Sequence, residues 1–281
     1  KMVRMRATVM VLPALLAGAT GCLHMGPGDD PDPRFPSAEQ GAAVAPPAAP
    51  ATAAAAGQTE TQGVAAGVPY IERTTGGATL GDKLPMIVAL HSRGGTQDQF
   101  GRLFANFPVR ARIILPHGPY MDQRGHYRWW NIPARQSTPQ EFADEVRPAE
   151  GLVAAAIAEL QKTRPTIGRP IVCGFSQGGT LSWSLAVLNP ELVSHAFPFA
   201  GSLPVGFSPG TWSSPFRPRV HAFHGVSDGG NAKAHNSVDE LHRMGIEAEI
   251  RDYPIGHTID PTEARDALAM IAAVASRPDQ L

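Results

Sequence analysis

The sequence predicts an α/β domain, a mostly parallel central sheet with helices on both faces. Three observations carry that prediction. From Val68 onward, short apolar runs alternate with helix-like segments, the signature of a parallel sheet covered on both sides. Most of the runs are continuous rather than alternating in polarity, as strands buried on two faces require. Hydrophobic residues make up 43% of the 281 residues, which is enough for one sizeable core.

The elements follow in order along the chain. The strand segments are "YIERTT", "MIVALHS", "ARIILPHG", "IVCGFS", "HAFPFAG", "RVHAFHG" and "EAEIRDYP". A helix is expected over 142–163, where Leu152, Val153, Ala156, Ile157 and Leu160 share one face, and another over 262–275, carried by Leu268 and Ile271. "RPIVCGFSQGGTLSWSLAVL" reads as strand, tight turn and helix. His235 and His242 fall on a further helix, and no internal repeat interrupts the pattern. One folded domain is therefore expected over 68–281.

The segment before it differs in kind. Lys1, Arg4 and Arg6 precede the apolar run "ATVMVLPALLAGA", which is too short to span a bilayer and fits a signal peptide over 1–22. Its end, "LAGATGC", resembles the lipobox of bacterial lipoproteins. That resemblance implies lipidation of Cys22 and a lipid-anchored place in a bacterial cell envelope, facing the periplasm or the exterior. Plain secretion is the alternative. Residues 23–67 contain "PGDDPDPRFP" and an Ala/Pro-rich stretch, with no aromatic residue between Phe35 and Tyr70. They read as a disordered tether, because little apolar surface is available to offset the entropy of ordering. An alanine helix is the lesser reading, since prolines interrupt it. Of the two cysteines, Cys173 lies in an apolar run and reads as buried filler. A net charge of −1 argues against a nucleic-acid partner. No cluster has metal-ligand spacing, and no glycine loop precedes a lysine to cradle phosphate, so neither a metal nor a cofactor is expected.

Within "GFSQGG", Ser176 sits between an apolar strand and a helix, with glycines two residues to either side. A chain this rich in glycine matches G-x-S-x-G by chance about 0.15 times, so context has to decide. The context is that of a nucleophile elbow, in which the serine takes a strained backbone conformation and small neighbours prevent clashes. Gly225-Val226-Ser227-Asp228-Gly229 matches the same pattern. Polar "GGNAKAH" follows it with no immediate apolar helix, and too little chain remains for the strands that an acid and a base need.

A serine hydroxyl needs a base to take its proton and a carboxylate to hold that base in the right tautomer. Asp228, just past "RVHAFHG", fits the acid, with Asp252 as the alternative. His257, in the loop "PIGHTIDP" before the last helix, fits the base. His221 and His224 lie within or at the end of a strand, without a catalytic loop of their own. An oxyanion needs preset backbone donors. Gln177, directly after the serine, would supply one N–H, and Arg93 in "HSRGG" the second.

"LHSRGG", "LPHGP…RWWN", "GFSQGG", "HGVSD" and "GH", in this order, resemble the phospholipase/carboxylesterase family of α/β-hydrolases. The resemblance covers about 84–276. It implies the α/β-hydrolase fold without a large lid, and a serine esterase acting on small-molecule carboxylic esters. In some branches the substrates are lysophospholipids or acyl thioesters. Its triad and oxyanion positions carry over onto Ser176, Asp228, His257, Gln177 and Arg93. Ser92 stands where the family usually has glycine, and is expected to narrow the oxyanion loop or add a donor. "GHYRWWNIP" aligns Trp130, and beside it Trp129, with the family's acyl pocket, against core packing as the alternative. A secreted polyester depolymerase or a serine peptidase on the same fold, and a non-catalytic envelope-binding lipoprotein, are the rival functional readings.

Overall fold

The computed structural model describes residues 59–132, 136–208 and 215–281. The expected signal peptide, Cys22 and most of the expected tether lie outside the described residues.

Among the described residues ten strands and five α-helices follow one another as β1 (Glu60–Ala65), β2 (Val68–Thr74), β3 (Met86–Leu90), α1 (Gln97–Gly101), β4 (Arg112–Pro116), β5 (Tyr120–Met121), β6 (Tyr127–Arg128), α2 (Pro139–Thr163), β7 (Ile171–Phe175), α3 (Gln177–Leu188), β8 (His195–Phe199), β9 (Arg219–Gly225), α4 (Asn231–Arg243), β10 (Ala248–Tyr253) and α5 (Pro261–Ala275). Eight strands form one sheet in the order β1-β2-β4-β3-β7-β8-β9-β10, while β5 and β6 pair separately. From β4 to β10 every neighbouring pair is parallel, and β2 and β1 close the opposite edge antiparallel.

All five residues of β3 and of β4 are buried, because helices cover the sheet on both sides. On one face Val88, Val172 and Ala196 pack with Val153 and Ile157 of α2, Leu181 and Leu185 of α3, and Leu241 of α4. On the other, Ile87, Cys173, Phe197 and Phe223 meet Phe100 and Phe104 at α1 and Ala267 and Ile271 of α5. The alternation of Ile87 and Val88 between the two clusters is the period-2 geometry of a strand.

The expected boundary between tether and domain moves. Glu60–Ala65, assigned to the tether, form β1 and pair antiparallel with β2. The turn is Ala66-Gly67, both at positive φ (46° and 80°), as two-residue hairpins need. The Ala66 N–H also donates to Glu159 Oε2 of α2 at 2.6 Å. β1 is an edge strand held chiefly by backbone hydrogen bonds, so it requires no aromatic residue. The α2 helix starts three residues before its expected start. Thr138 accepts from Glu141 N, the Glu141 side chain accepts from Thr138 N, and Pro139 occupies the first turn. That capping box sets the start.

Candidate active site

Each expected catalytic side chain leaves the carboxyl end of a parallel strand. Ser176 follows β7, Asp228 follows β9 and His257 follows β10. Ser176 has φ 57° and ψ −108°, a strained conformation for a residue with a side chain. Its N–H donates to Phe199 O at 2.9 Å and its carbonyl accepts from Thr180 N at 2.9 Å, so both sides of the turn are tied down. The flanking glycines permit close approach. A Cβ at Gly174 would stand 2.8 Å from Gly178 Cα, and one at Gly178 would stand 2.7 Å from the Leu90 carbonyl carbon and 2.9 Å from His91 O. The start of α3 therefore presses directly on the end of β3.

His257 Nε2 lies 2.9 Å from Ser176 Oγ, and His257 Nδ1 lies 2.6 Å from Asp228 Oδ2. Gly225 makes this possible, since a Cβ there would stand 2.8 Å from the Ile255 carbonyl carbon. The loop before His257 thus lies against the end of β9. Ser227 N donates to Ile255 O at 3.0 Å and fastens it. Asp228 also accepts from Gly230 N through Oδ1 at 2.8 Å. Burial pushes the Asp228 carboxyl up, but His224, His257 and the Gly230 N–H favour its ionised form and together hold it well below the usual range. An ionised Asp228 requires the Nδ1–H tautomer of His257, which leaves Nε2 to accept from Ser176.

The rival serine differs in backbone as well as in context. The helix expected around His235 and His242 is α4, which begins at Asn231 with the polar run "NAKAH" rather than an apolar one. Ser227 has no positive φ, and its side chain meets neither imidazole in a hydrogen bond. Asp252, the alternative acid, accepts from Asn231 Nδ2 at 2.7 Å and faces His235 Nε2 at 3.0 Å, away from His257. His221 faces Glu249, and His242 faces Ala248 O.

Gln177 opens α3, and as the first helical residue its N–H has no preceding helical carbonyl to meet. Its side chain does more than the sequence suggested. Oε1 accepts from Trp129 N at 2.8 Å and Nε2 donates to Trp130 O at 3.0 Å, clamping the 127–131 loop to the elbow. Around Arg93, Gly94 N donates to Tyr127 O at 2.8 Å and Gly95 N to Ser92 O at 3.0 Å. A Cβ at Gly95 would stand 3.0 Å from Ser92 Oγ, so the Ser92 side chain is accommodated by the missing side chain at Gly95. His91, to which the sequence assigns no role, is buried. Its Nε2 accepts from Gly118 N at 3.0 Å, and Nδ1 donates to Ser92 O at 2.7 Å. Burial lowers its pKa to about 4, keeping it neutral.

Trp129 and Trp130, aligned by motif with the acyl pocket, are both buried, 1% and 3% exposed. The Trp129 indole stacks on His91, with ring centroids 5.0 Å apart, and donates through Nε1 to His91 O at 2.9 Å. Trp130 packs edge-on against Phe142. A buried indole N–H needs an acceptor, and His91 O holds Trp129 inward.

Among the described residues no group of three His, Cys, Asp or Glu side chains could hold a metal ion. No described helix is long and apolar enough to cross a membrane.

A family model described as Phospholipase/Carboxylesterase matches residues 81–275. A rice (Oryza sativa subsp. japonica) protein named a probable carboxylesterase is 34% identical over 93 residues, covering 31% of this chain and 40% of that one. A second rice protein with the same description is 28% identical over 168 residues, covering 56% and 59%. The chain thus spans two fifths to three fifths of the length of these curated relatives. The crystal structure of a carboxylesterase from Mesorhizobium loti matches with a TM-score of 0.58 at 21% identity, covering 76% of this chain and 98% of that one. At that identity the likeness is one of fold.

Proposed function

This chain belongs to the phospholipase/carboxylesterase family and has the α/β-hydrolase fold, and from that premise we propose that it is a serine esterase that hydrolyses carboxylic esters through an acyl-enzyme. The observation that carries the proposal is the continuous hydrogen-bonded line from Ser176 Oγ to His257 Nε2 and from His257 Nδ1 to Asp228.

In this reading Ser176 Oγ attacks the ester carbonyl carbon while His257 Nε2 takes its proton. Asp228 stays ionised and holds the imidazolium that forms. The oxyanion of the tetrahedral intermediate is met by the backbone N–H groups of Gln177 and Arg93. His257 then returns the proton to the leaving alkoxide, and a water, activated by the same imidazole, releases the acid. The Gln177 carboxamide and His91 support this site from outside it, one clamping the tryptophan loop and the other pinning the 91–95 loop. Acyl thioesters and lysophospholipids would react by the same route, since triad and fold do not choose the leaving group.

The test is hydrolysis of nitrophenyl esters of increasing acyl length, beside an acyl thioester and a lysophospholipid, by the wild-type protein and by Ser176→Ala. The wild type should turn over at least the short nitrophenyl esters, and the variant should lose on the order of 10⁴-fold or more in kcat. Equal rates for the two proteins would overturn the assignment, as would a folded wild type no faster than buffer on every ester.

A further inference from the structure

Asp228 meets two imidazoles rather than one. His224, the penultimate residue of β9, is 1% exposed. Its Nε2 lies 3.2 Å from Asp228 Oδ2, the same oxygen that faces His257 Nδ1 at 2.6 Å. The approach is close without the geometry of a hydrogen bond, and His224 Nε2 is buried with no hydrogen-bond partner. A bare nitrogen lone pair held that close to a carboxylate oxygen, away from water, would be repelled. An Nε2–H there is attracted instead.

We propose that His224 is a positioning residue for the triad: its Nε2–H faces Asp228 Oδ2 and shares that oxygen with His257 Nδ1–H, while Gly230 N holds Oδ1. The inference rests on the serine-esterase reading and adds a second imidazole beside its acid. Two consequences follow. Gly230 and His257 already engage the two oxygens, and His224 adds a second hold on Oδ2 against rotation of the carboxylate about its terminal torsion, so His257 is kept facing Ser176. A second donor also draws charge from the carboxylate, which then stabilises the His257 imidazolium less strongly.

The other groups facing this cluster are few. Asp252 is the register partner of His224 on β10, but its carboxylate is taken by Asn231 and His235 of α4. The N-terminus of α4 lies just past Gly230 and favours an ionised Asp228. Removing His224 thus leaves Asp228 without its second imidazole, and no other of these groups is placed to replace it.

The experiment is the pH dependence of kcat/KM for a nitrophenyl ester in three proteins: wild type, His224→Phe, which keeps bulk without a donor, and His224→Gln, which returns an amide donor near the Nε2 position. The acid limb of His224→Phe should move up by about half a pH unit or more, and His224→Gln should bring it back toward the wild type. A variant that loses kcat with an unmoved acid limb would show ordinary packing and overturn the proposal, as would a Gln variant no closer to wild type than Phe. If the variants do not fold, ¹⁵N–¹H spectra of the wild-type imidazoles decide. His224 should carry its proton on Nε2 at neutral pH, and an Nδ1–H tautomer would overturn the contact. The spectra need no turnover, so a wild type without esterase activity would refute the esterase reading while leaving this contact separately tested.

Discussion

Replacing Gly178 by alanine probes the close approach on which the site is built. A Cβ at this position would stand 2.7 Å from the Leu90 carbonyl carbon and 2.9 Å from His91 O, and nearer still to Leu90 O, where ordinary contact begins at 3.4 Å. The obstacles are backbone atoms at the end of β3 and cannot rotate away. The first turn of α3 must therefore retreat by about 0.7 Å or more. Overpacking of this kind costs about 1–3 kcal/mol, and at about 2–4 °C per kcal/mol for a domain of this size the melting temperature should fall by roughly 2–12 °C. The retreat also moves Gln177 N away from the 91–93 loop that carries the other expected oxyanion donor. A misplacement approaching 1 Å at reacting groups costs about 10²-fold, so kcat/KM should fall by about that factor in protein that is still folded at the assay temperature. Gly229→Ala is the control, since nothing lies within 4 Å of a Cβ there and its effect should stay within about 0.5 kcal/mol. Thermal melts and ester turnover on both variants complete the test. A Gly178→Ala protein with wild-type melting and wild-type kcat/KM would show that α3 does not press on the end of β3.

Two further outcomes follow from buried groups. Glu263 in the first turn of α5 is 1% exposed with neither carboxylate oxygen hydrogen-bonded, and burial, reinforced by Asp260, raises its pKa from 4.5 to about 8. The folded protein therefore binds this proton more tightly than the unfolded chain, and stability falls as pH rises from about 4.5 through 8. Glu263→Gln should raise the melting temperature at pH 9 while leaving it little changed at pH 4, and an equal effect at both would contradict the sign. Burial likewise pushes the Cys173 thiol far above the ordinary thiol range, so Ellman's reagent should leave it unmodified in native protein and react after denaturation. Prompt native labelling of Cys173 would contradict its placement.

The parts of the fold that were legible in sequence are those where a single interaction dominates. β3, β4 and β7 read as continuous apolar runs because both of their faces are covered, and the turn at Ser176 was visible because close backbone approach demands glycine at 174, 178 and 179. Asp228 and His257 followed from chain order and strand ends, and the structure brings them within hydrogen-bond distance of one line. β1 escaped because an edge strand is held by its backbone, which leaves little trace in side chains. The two-residue strands β5 and β6 are too short to show a period. Trp129 and Trp130 were read from motif alignment, yet which way an indole turns depends on His91 O and Phe142, far away in sequence. His224 and His221 look alike in "RVHAFHG". Only the position of Asp228 beyond the strand end distinguishes the one that meets it.

Covalent labelling shows whether Ser176 is the nucleophile. The full chain should be treated with a fluorophosphonate, digested, and the adduct located by peptide mass spectrometry. A single stoichiometric adduct should form on Ser176, disappear in Ser176→Ala and form more slowly, in proportion to lost turnover, in Asp228→Asn. An adduct on Ser227, or no adduct on folded protein, would contradict that assignment.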